Sequence, residues 1–393
     1  MARAAAFGVV LAAAVFGALQ LTDVDPAPLE FPPLRPLPPL DGPDATELVT
    51  VERLFEGDEA GFKGPESFVF NDDGSVYTGL ADGRIVRLVL GEGEGEPRYE
   101  EVARTGEKHE DCGALALEPL CGRPLGLRAE GNGSLLVADA YKGLLRVTPA
   151  TPAAGVGADA EATVETLVDS ALEGLTLVND LEWDGTRRVV YFSNTGRFPR
   201  NEIHRMLIES RPTGKLMRYE LDTRKLSVLA DGLVMPNGIA MTNDGSALLV
   251  CSTATSSLYK IDLDGEGHAV GGLGGARVVQ NDLQGGPDNI RRRHGKDTFL
   301  VGLGSKRAAP FSLVQLLSPF LTLRKLMSLV DLETSTALIP KAGLVVEVDA
   351  DGQVLHLFQD PRLNAYWVSE AEEHGGYMYL GSWRTSFLAR AKL

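Results

Sequence analysis

Six short motifs in the chain place one residue just before the apolar opening of a strand-like run. The motifs are GPES, RPLGL, VNDL, MPNGI, GPDNI and VSEA. The residues at the shared position are Glu66, Leu125, Asn179, Asn237, Asp288 and Ser369. Four of these six carry carboxylate or carboxamide oxygens, which Ca²⁺ prefers as ligands. None is a histidine or cysteine, which disfavours Zn²⁺. The pattern predicts a calcium site if the fold brings these positions together.

Each motif opens one copy of an internal repeat. A copy holds an apolar stretch, a turn rich in Gly and Asp or Asn, and further strand-length runs, as in IAMTNDGSALLVCSTATSSLYKIDL. The copies follow one another at about 50–60 residues, with one gap of about 80 before the last. Such repeats are typical of propeller blades, so we predict an all-β fold, a six-bladed β-propeller over residues 46–393. Two stacked β-sandwich domains are the alternative.

A propeller would place the six shared positions around one axis. The innermost strand of each blade runs along the central channel, so equivalent side chains face the same point. Leu125 and Ser369, with the neighbouring Glu370, would then line the channel beside the metal ligands, which would be Glu66, Asn179, Asn237 and Asp288. Because the last copy ends at the C-terminus, we expect a strand near residues 48–55 to complete its blade.

The composition excludes one class of partner. The chain of 393 residues has a formal net charge of −16. A protein this acidic repels the phosphates of nucleic acids, so we expect no nucleic-acid partner. The same negative charge concentrates cations around the protein.

The long gap contains PFSLVQLLSPFLTLRKLMSLV, from Pro310 to Val330. Its apolar residues follow helical spacing that is broken near Pro319. We therefore predict a helical insertion over about residues 306–335, between the last blades. It would form a lid over one propeller face, a second contact with the membrane, or helices packed on the blade rim.

The N-terminus has the features of an anchor or export signal. The run from Ala4 to Leu21 carries no charge and follows a single positive flank, Arg3. We predict a membrane-anchor helix over residues 1–24 and a proline-rich linker over residues 25–45, which would hold the folded body off the bilayer. The protein would then be a single-pass type II membrane protein with the propeller outside the cytosol. Cleavage of the segment as a signal peptide would instead make it secreted.

The cysteines and one asparagine fit that compartment. Cys112 and Cys121 lie close together in a loop-like stretch, whereas Cys251 lies in an apolar strand. Outside the cytosol we expect a disulfide between the first two and a buried thiol at Cys251. Three reduced cysteines are the alternative. Asn132 begins the triplet Asn-Gly-Ser, an acceptor for N-glycosylation at a turn.

Longer motifs resemble a known family. CGRPLGLR, LLVADAYKGLLRV, GGPDNIR and EEHGGYMYLGSWRTSFLARAKL are similar to stretches of the strictosidine synthase-like proteins, and the resemblance runs from about residue 50 onward. Members are six-bladed propellers, related more distantly to paraoxonases and gluconolactonases. The resemblance implies a type II anchor, a disulfide at Cys112 and Cys121, and glycosylation at Asn132. It also implies calcium ligands at Glu66, Asn179, Asn237 and Asp288, with Asn289 as a further ligand.

Two departures from the relatives bear on activity. Leu125 stands where paraoxonases have their proposed catalytic histidine, and leucine cannot accept a proton. Ser369 stands where strictosidine synthases have the glutamate that drives amine–aldehyde condensation. Glu370 is the next residue, but a one-residue offset along a strand points a side chain to the opposite face.

The leading hypothesis is a calcium-dependent hydrolase, similar to arylesterases and lactonases, that acts on a small ester or lactone substrate. The ion would polarise the carbonyl, and the resemblance suggests Asp288 as both ligand and catalytic base. A non-catalytic binding or scaffold propeller at the membrane is the first alternative. Strictosidine synthase-type condensation, a lyase reaction, is the second.

Overall fold

The structure is a computed structural model, and it describes residues 17–57, 61–71, 74–91, 96–131, 133–149 and 162–393. Its strands form six sheets, one for each predicted copy of the repeat. The six sheets are the blades of a β-propeller, so the predicted fold class is confirmed. Two strands, β1 (Ala45–Glu47) and β2 (Val51–Leu54), precede the first blade.

The first three blades follow in chain order. Blade 1 contains β3 (Phe68–Phe70), β4 (Val76–Gly79), β5 (Arg84–Val89) and β6 (Arg98–Arg104). Blade 2 contains β7 (Pro124–Ala129), β8 (Leu135–Asp139), β9 (Gly143–Thr148) and β10 (Thr163–Asp169). Blade 3 contains β11 (Val178–Asp184), β12 (Val189–Asn194), β13 (Gly214–Glu220) and β14 (Lys225–Leu233).

The last three blades complete the ring. Blade 4 contains β15 (Pro236–Met241), β16 (Ala247–Ser252), β17 (Ser257–Asp262) and β18 (Arg277–Gln280). Blade 5 contains β19 (Pro287–Arg292), β20 (Thr298–Leu303), β21 (Gly343–Asp349) and β22 (Val354–Asp360). Blade 6 contains β23 (Val368–His374), β24 (Tyr377–Ser382) and β25 (Leu388–Lys392).

Both N-terminal strands join blades from the end of the chain. β2 pairs antiparallel with β25 and supplies the fourth strand of blade 6, as the sequence predicts. β1 pairs parallel with β22 and makes blade 5 five-stranded, which the sequence did not indicate. These pairings close the ring and leave fewer unpaired strand edges.

The strands are held by short turns within blades and by apolar packing between them. In blade 4, Thr242 N donates to Ala247 O across a turn in which Gly245 has a φ of 68°, a conformation that favours glycine. Between blades 3 and 4, Tyr191 and Val250 belong to one buried apolar cluster. Such clusters keep the innermost strands, and the side chains they carry, in fixed positions.

The helices are short and lie outside the sheets. They are α1 (Glu118–Cys121), α2 (Ser170–Glu173), α3 (Ile203–Glu209), α4 (Leu313–Leu317), α5 (Leu321–Met327) and α6 (Leu332–Ala337). Three single 3₁₀ turns accompany them at Leu115–Leu117, Arg200–Glu202 and Gly272–Gly274.

The helical insertion forms, but in a different place from the one predicted. Its helices α4, α5 and α6 connect β20 to β21, so the insertion lies within blade 5 and not between the last blades. The break between α4 and α5 contains Pro319, as predicted. The insertion packs against α3, which connects β12 to β13 of blade 3. The repeat pattern could not show this, because a long connection inside a blade and one between blades lengthen the spacing equally.

The proline-rich segment follows the surface of the body and does not project from it as a spacer. Val24 is completely buried. Ala27 N donates to Glu209 O (2.8 Å), and Ala309 N donates to Arg35 O (2.8 Å). We call residues 22–44 the N-terminal strap. Its prolines keep it extended, and the backbone groups of the body hold it in place.

The described part of the chain contains no helix long and apolar enough to cross a bilayer. Residues 1–16, which hold most of the predicted anchor, lie outside the described residues. The anchor therefore stays a prediction.

The structure pairs Cys112 with Cys121 in a disulfide, and Cys251 is a buried free thiol. Burial raises the pKa of the Cys251 thiol well above its usual value, so that thiol stays protonated. Asn132 lies outside the described residues, and its glycosylation stays a prediction.

Candidate metal centre in the central channel

The side chains expected to bind calcium all lie where an innermost strand begins. In β11, β15 and β19 the pairing with the next strand skips two residues, which are Asn179-Asp180, Asn237-Gly238 and Asp288-Asn289. Such a bulge releases residues from the ladder and re-aims their side chains. A Cβ on Gly238 would lie 2.4 Å from the Cα of Asn289. Only glycine allows the neighbouring inner strands to approach so closely.

We call Glu66, Asn179, Asn237, Asp288 and Asn289 the polar ring. Asn237 Nδ2 donates hydrogen bonds to Asp288 Oδ1 (2.6 Å) and to Thr253 Oγ1 (3.1 Å). Both carboxylates of the ring, Glu66 and Asp288, are buried. Burial raises the pKa of Asp288 well above its usual range, and the nearby Glu66 carboxylate raises it further. A cation placed between the two carboxylates would relieve this repulsion.

The carboxamides of the polar ring have oxygens without partners. Asn179 Oδ1, Asn237 Oδ1 and Asn289 Oδ1 are all buried, and none accepts a hydrogen bond from the described residues. Most buried polar atoms in proteins have a partner, and leaving one unpaired costs about 1–3 kcal/mol. Oxygen atoms from three amides and two carboxylates match the hard, irregular ligand set of Ca²⁺. The residues present therefore fit this ion.

The ligand set is rich in amides and poor in charge. No group of three or more His, Cys, Asp or Glu side chains that could hold a metal ion occurs within the described residues. The polar ring has two carboxylates, so its donor set depends on its asparagines.

The two remaining shared positions offer no catalytic group. Leu125 is 1% exposed and belongs to an apolar cluster with Val24, Phe198 and Met206. Ser369 Oγ donates to the backbone oxygen of Glu66 at 2.5 Å. Leu125 thus contributes only apolar packing, and Ser369 fixes the backbone of a ring residue.

Glu370 lies in the channel beside Ser369, contrary to the strand-alternation rule. The pairing of β23 skips both residues, so a bulge places Glu370 inward as well. Glu370 Oε1 accepts a hydrogen bond from Phe68 N (2.9 Å), and Oε2 forms an ion pair with Arg291. Oε2 also accepts a hydrogen bond from Asn289 Nδ2 (3.3 Å). Both carboxylate oxygens of Glu370 therefore already have partners within the protein.

Below the polar ring lies a layer of ion pairs that the sequence did not reveal. We call Arg128, Asp180, Arg291 and Glu370 the arginine layer. Arg291 binds Asp180 through both terminal nitrogens, at 2.8 and 3.0 Å. Burial favours a raised pKa for Asp180, but Arg291 and Arg128 outweigh it and hold the pKa below its usual value.

Arg291, Arg292 and Arg293 form a run of three arginines, of which two are buried. Arg291 is buried in the arginine layer. Arg293 is buried against Glu347, with 2.6 Å between Nη1 and Oε2. Only Arg292 is exposed. Arg291 and Arg293 are both buried, and Arg292 between them is exposed, because successive side chains of a strand point to opposite faces.

Arg123 is a further site residue, which the sequence did not indicate. Its guanidinium is completely buried and donates to Glu66 Oε2 (3.0 Å) and to Gly64 O (2.9 Å). Burial, together with the charge of Arg200, lowers the pKa of Arg123. Arg123 holds one oxygen of Glu66 and leaves the other for a ligand. Its place two residues before Leu125, in RPLGL, was the only sequence signal.

A cavity of about 600 Å³ opens at the opposite mouth of the channel. Its walls include Arg128, Glu182, Arg291 and Glu372, and none of the polar ring residues contributes. We place the candidate metal centre at the polar ring despite this cavity. The unpaired oxygens lie in the ring, whereas Arg128 and Arg291 of the cavity wall already have carboxylate partners.

Solved structures of similar shape share the propeller fold. The calcium-binding protein regucalcin of Agrobacterium tumefaciens aligns with a TM-score of 0.55 and 14% identity, over 88% of this chain and 95% of that one. A gluconolactonase of Xanthomonas campestris aligns with a TM-score of 0.53 and 14% identity, over 93% of this chain and 97% of that one. At such low identity the likeness shows the fold alone.

Sequence comparisons carry more weight. A strictosidine synthase model matches residues 179–265, and a model of the N-terminal part of strictosidine synthase-like proteins matches residues 46–88. The adipocyte plasma membrane-associated protein of Bos taurus is 36% identical and covers 96% of this chain and 87% of its own length. Strictosidine synthase-like protein 10 of Arabidopsis thaliana is 34% identical and covers 84% of this chain and 85% of its own. The chain belongs to the strictosidine synthase-like family.

Proposed function

We propose that the protein is a calcium-binding propeller that hydrolyses small esters or lactones at the polar ring. The observation that carries the proposal is the set of three buried carboxamide oxygens without partners, next to two buried carboxylates. Two proteins of the same fold are named as a calcium-binding protein and as a gluconolactonase, which match the ion and the reaction class proposed here.

Glu66, Asn179, Asn237, Asp288 and Asn289 would hold the ion. When bound, Ca²⁺ would polarise the substrate carbonyl and stabilise the oxyanion that develops on it. Asn237 holds Asp288 Oδ1, whereas Oδ2 accepts no hydrogen bond from the described residues. Oδ2 can therefore take the proton of a water molecule whose oxygen attacks the acyl carbon. The bond to the leaving oxygen then breaks, and that oxygen receives the proton.

The test is aryl ester hydrolysis by the full chain. We expect activity that disappears when calcium is chelated and returns when it is restored. Asp288→Ala should lower kcat by about 100- to 10,000-fold, the usual contribution of a general base. Asp222→Ala, at an exposed aspartate, is the matched control and should leave activity unchanged. Hydrolysis that persists after chelation and in Asp288→Ala would overturn the proposal.

A non-catalytic binding or scaffold propeller is the second candidate. The apolar cluster around Leu125 favours it, because Leu125 stands at one of the six shared positions and provides no base. Calcium would then only stiffen the channel. A calcium-dependent rise in Tm without turnover of any ester in a substrate panel would favour this candidate. Amine–aldehyde condensation is not favoured, because Glu370 is engaged with Arg291 and Phe68.

We further propose that the protein is membrane-anchored through the apolar run that ends at Leu21, in type II orientation, with the propeller outside the cytosol. Residues 22–24 of the predicted anchor belong instead to the N-terminal strap, because Val24 is completely buried. Leu21, at the end of the apolar run, is 76% exposed. The next residue is held at the helical insertion, because Thr22 Oγ1 lies 2.9 Å from Ser328 Oγ. The insertion exposes a row of apolar side chains that would meet the same bilayer: Phe311, Val314, Leu316, Phe320, Leu323 and Leu329.

Extraction and glycosylation of the full chain in cells test this arrangement. We expect the protein to stay in membranes after alkaline carbonate washing. We also expect a glycosidase-sensitive mass shift that is lost in Asn132→Gln. Release by carbonate or recovery from the medium would support the secreted alternative. A protein without the glycosidase-sensitive shift would contradict the orientation.

A further inference from the structure

Beside the polar ring lies an aromatic surface that the proposed chemistry does not use. Trp367 and Trp383 are half-buried and lie with their ring centroids 5.5 Å apart at an angle of 33°. Tyr366 meets Trp367 edge to face at 5.1 Å. We call Tyr366, Trp367, Trp383, Lys341 and Arg384 the aromatic wall. Two of the three tryptophans in the chain belong to it.

The aromatic wall borders the free oxygen of the proposed base. Trp383 Nε1 and Asp288 Oδ2 each lie 3.4 Å from the point that a Cβ on Gly304 would occupy. The absence of a side chain at Gly304 thus leaves a small gap between the carboxylate and the indole edge. The backbone oxygen of Trp383 accepts from Arg123 Nη2 at 3.4 Å, and Arg123 also holds Glu66. The wall is therefore tied to both carboxylates of the ring.

Two cations cover the far side of the wall. The Arg384 guanidinium lies 5.3 Å from the Trp367 centroid and 6.0 Å from that of Trp383. Lys341 Nζ lies 4.2 Å from the Tyr366 centroid. Neither cation forms an ion pair with a carboxylate among the residues that the structure describes. Their charges are thus free to meet an anion, whereas the buried arginines of the arginine layer are neutralised by carboxylates.

The helical insertion forms the roof over these cations. Arg384 Nη1 donates to Thr336 Oγ1 of α6 (2.6 Å), and Trp367 Nε1 donates to Ile339 O (3.3 Å). These contacts keep the guanidinium half-buried, where a charge-assisted hydrogen bond is stronger than in open water.

We infer that the aromatic wall selects the substrate, and that the preferred substrate is an aromatic ester or lactone with a negative charge on its ring. The inference rests on the proposed function. The aryl ring would lie on the tryptophans, the acyl carbon would reach Asp288 Oδ2, and the ring anion would meet Arg384 and Lys341. Trp367 and Trp383 are binding residues in this account and take no part in proton transfer.

Two matched esters test the selection. Phenyl acetate and 4-acetoxybenzoate share the acetyl group, and only the second carries a ring carboxylate. We expect the wild-type protein to have a higher kcat/KM for 4-acetoxybenzoate. In Arg384→Gln the ratio of the two kcat/KM values should fall about tenfold, since a hydrogen bond to a charged group is worth about that factor. Arg384→Lys should retain most of the preference, because it keeps the charge.

The control is Arg188→Gln, which removes an exposed arginine far from the wall and should leave the ratio unchanged. A preference for phenyl acetate in the wild type, or an unchanged ratio in Arg384→Gln, would overturn the inference.

A binding measurement separates this inference from the proposed hydrolysis. The probe is 4-hydroxybenzoate, followed through quenching of tryptophan fluorescence in the full chain. If neither ester is hydrolysed, the proposed function fails, but saturable quenching that weakens about tenfold in Arg384→Gln would still support the aromatic wall as an anion site. Absence of saturable quenching would overturn the inference whether or not the esters are hydrolysed.

Discussion

The polar ring and the arginine layer are neighbours on the same inner strands, yet their buried polar groups differ in whether they have partners within the protein. In the arginine layer each carboxylate meets a guanidinium, as Asp180 meets Arg291 at 2.8 Å. In the polar ring, three amide oxygens have no partner among the described residues, and Asp288 faces Glu66. One region is complete within the protein. The other has buried oxygens without partners among the described residues, which is why we propose that a cation binds there.

The largest expected effect comes from breaking the arginine layer. Arg291→Met leaves Asp180 and Glu370 buried without their main cation. Removing one partner of a buried pair costs about 3–5 kcal/mol, so the free energy of unfolding should fall by that amount with and without calcium. Urea denaturation measures it. Arg292→Met, at the exposed neighbour, should change stability by less than about 0.5 kcal/mol. Equal effects of the two substitutions, or full rescue of Arg291→Met by calcium, would contradict the claim that the arginine layer is stabilised by its own ion pairs and the polar ring by calcium.

The next effect concerns calcium and the polar ring. Calcium at 100 times its Kd should raise the free energy of unfolding by about 2.7 kcal/mol. Asn237→Leu removes an amide oxygen and keeps the approximate shape of the side chain, so most of this gain should disappear. Thermal unfolding with and without calcium gives the difference. Asn243→Leu, at an exposed amide outside the ring, serves as the control and should keep the full calcium gain. The same gain in both variants would place the ion elsewhere.

The smallest effect is a pH dependence at the opposite mouth. Burial, and then the neighbouring Glu370 carboxylate, raise the pKa of Glu372 to about 8, while Arg291 and Arg128 act in the other direction. A raised carboxyl pKa stabilises the folded state below the unfolded value near 4.5, and this contribution is lost as the pH rises towards 8.

Glu372→Gln cannot ionise. The stability of the wild type relative to this variant should therefore decrease between pH 5 and pH 8.5, roughly the window in which the carboxyl titrates. Denaturation midpoints at the two pH values measure it. A constant difference would show that Glu372 is hydrated and titrates as an ordinary carboxyl, in which case the mouth is not desolvated.

The repeat made the fold and the ring positions predictable from the sequence. Short strands recurring at blade spacing forced the motifs containing Asn179, Asn237 and Asp288 into equivalent places. The close approach of two backbones at Gly238 and Asn289, in contrast, is known only from the structure. Features that recur in every copy can be recognised in the sequence, because the copies can be aligned with one another.

Features outside the repeat could not be predicted in the same way. Arg123 and Arg291 look like ordinary polar residues in sequence, and only the pairing of distant strands shows that they are buried. Glu370 lies inward because of a bulge, whereas strict alternation predicted the opposite face. The placement of the insertion within blade 5 depends on which strands it connects. The contacts of the N-terminal strap are likewise tertiary, so its prolines alone suggested a free spacer.

Calorimetric titration of the full chain with Ca²⁺ tests the central claim most directly. The account predicts saturable binding to the wild type that is abolished in Asp288→Ala and strongly weakened in Asn179→Leu. Asp222→Ala should bind as the wild type does. Absence of saturable binding to the wild type, or undiminished binding to Asp288→Ala, would contradict the assignment of a calcium site to the polar ring.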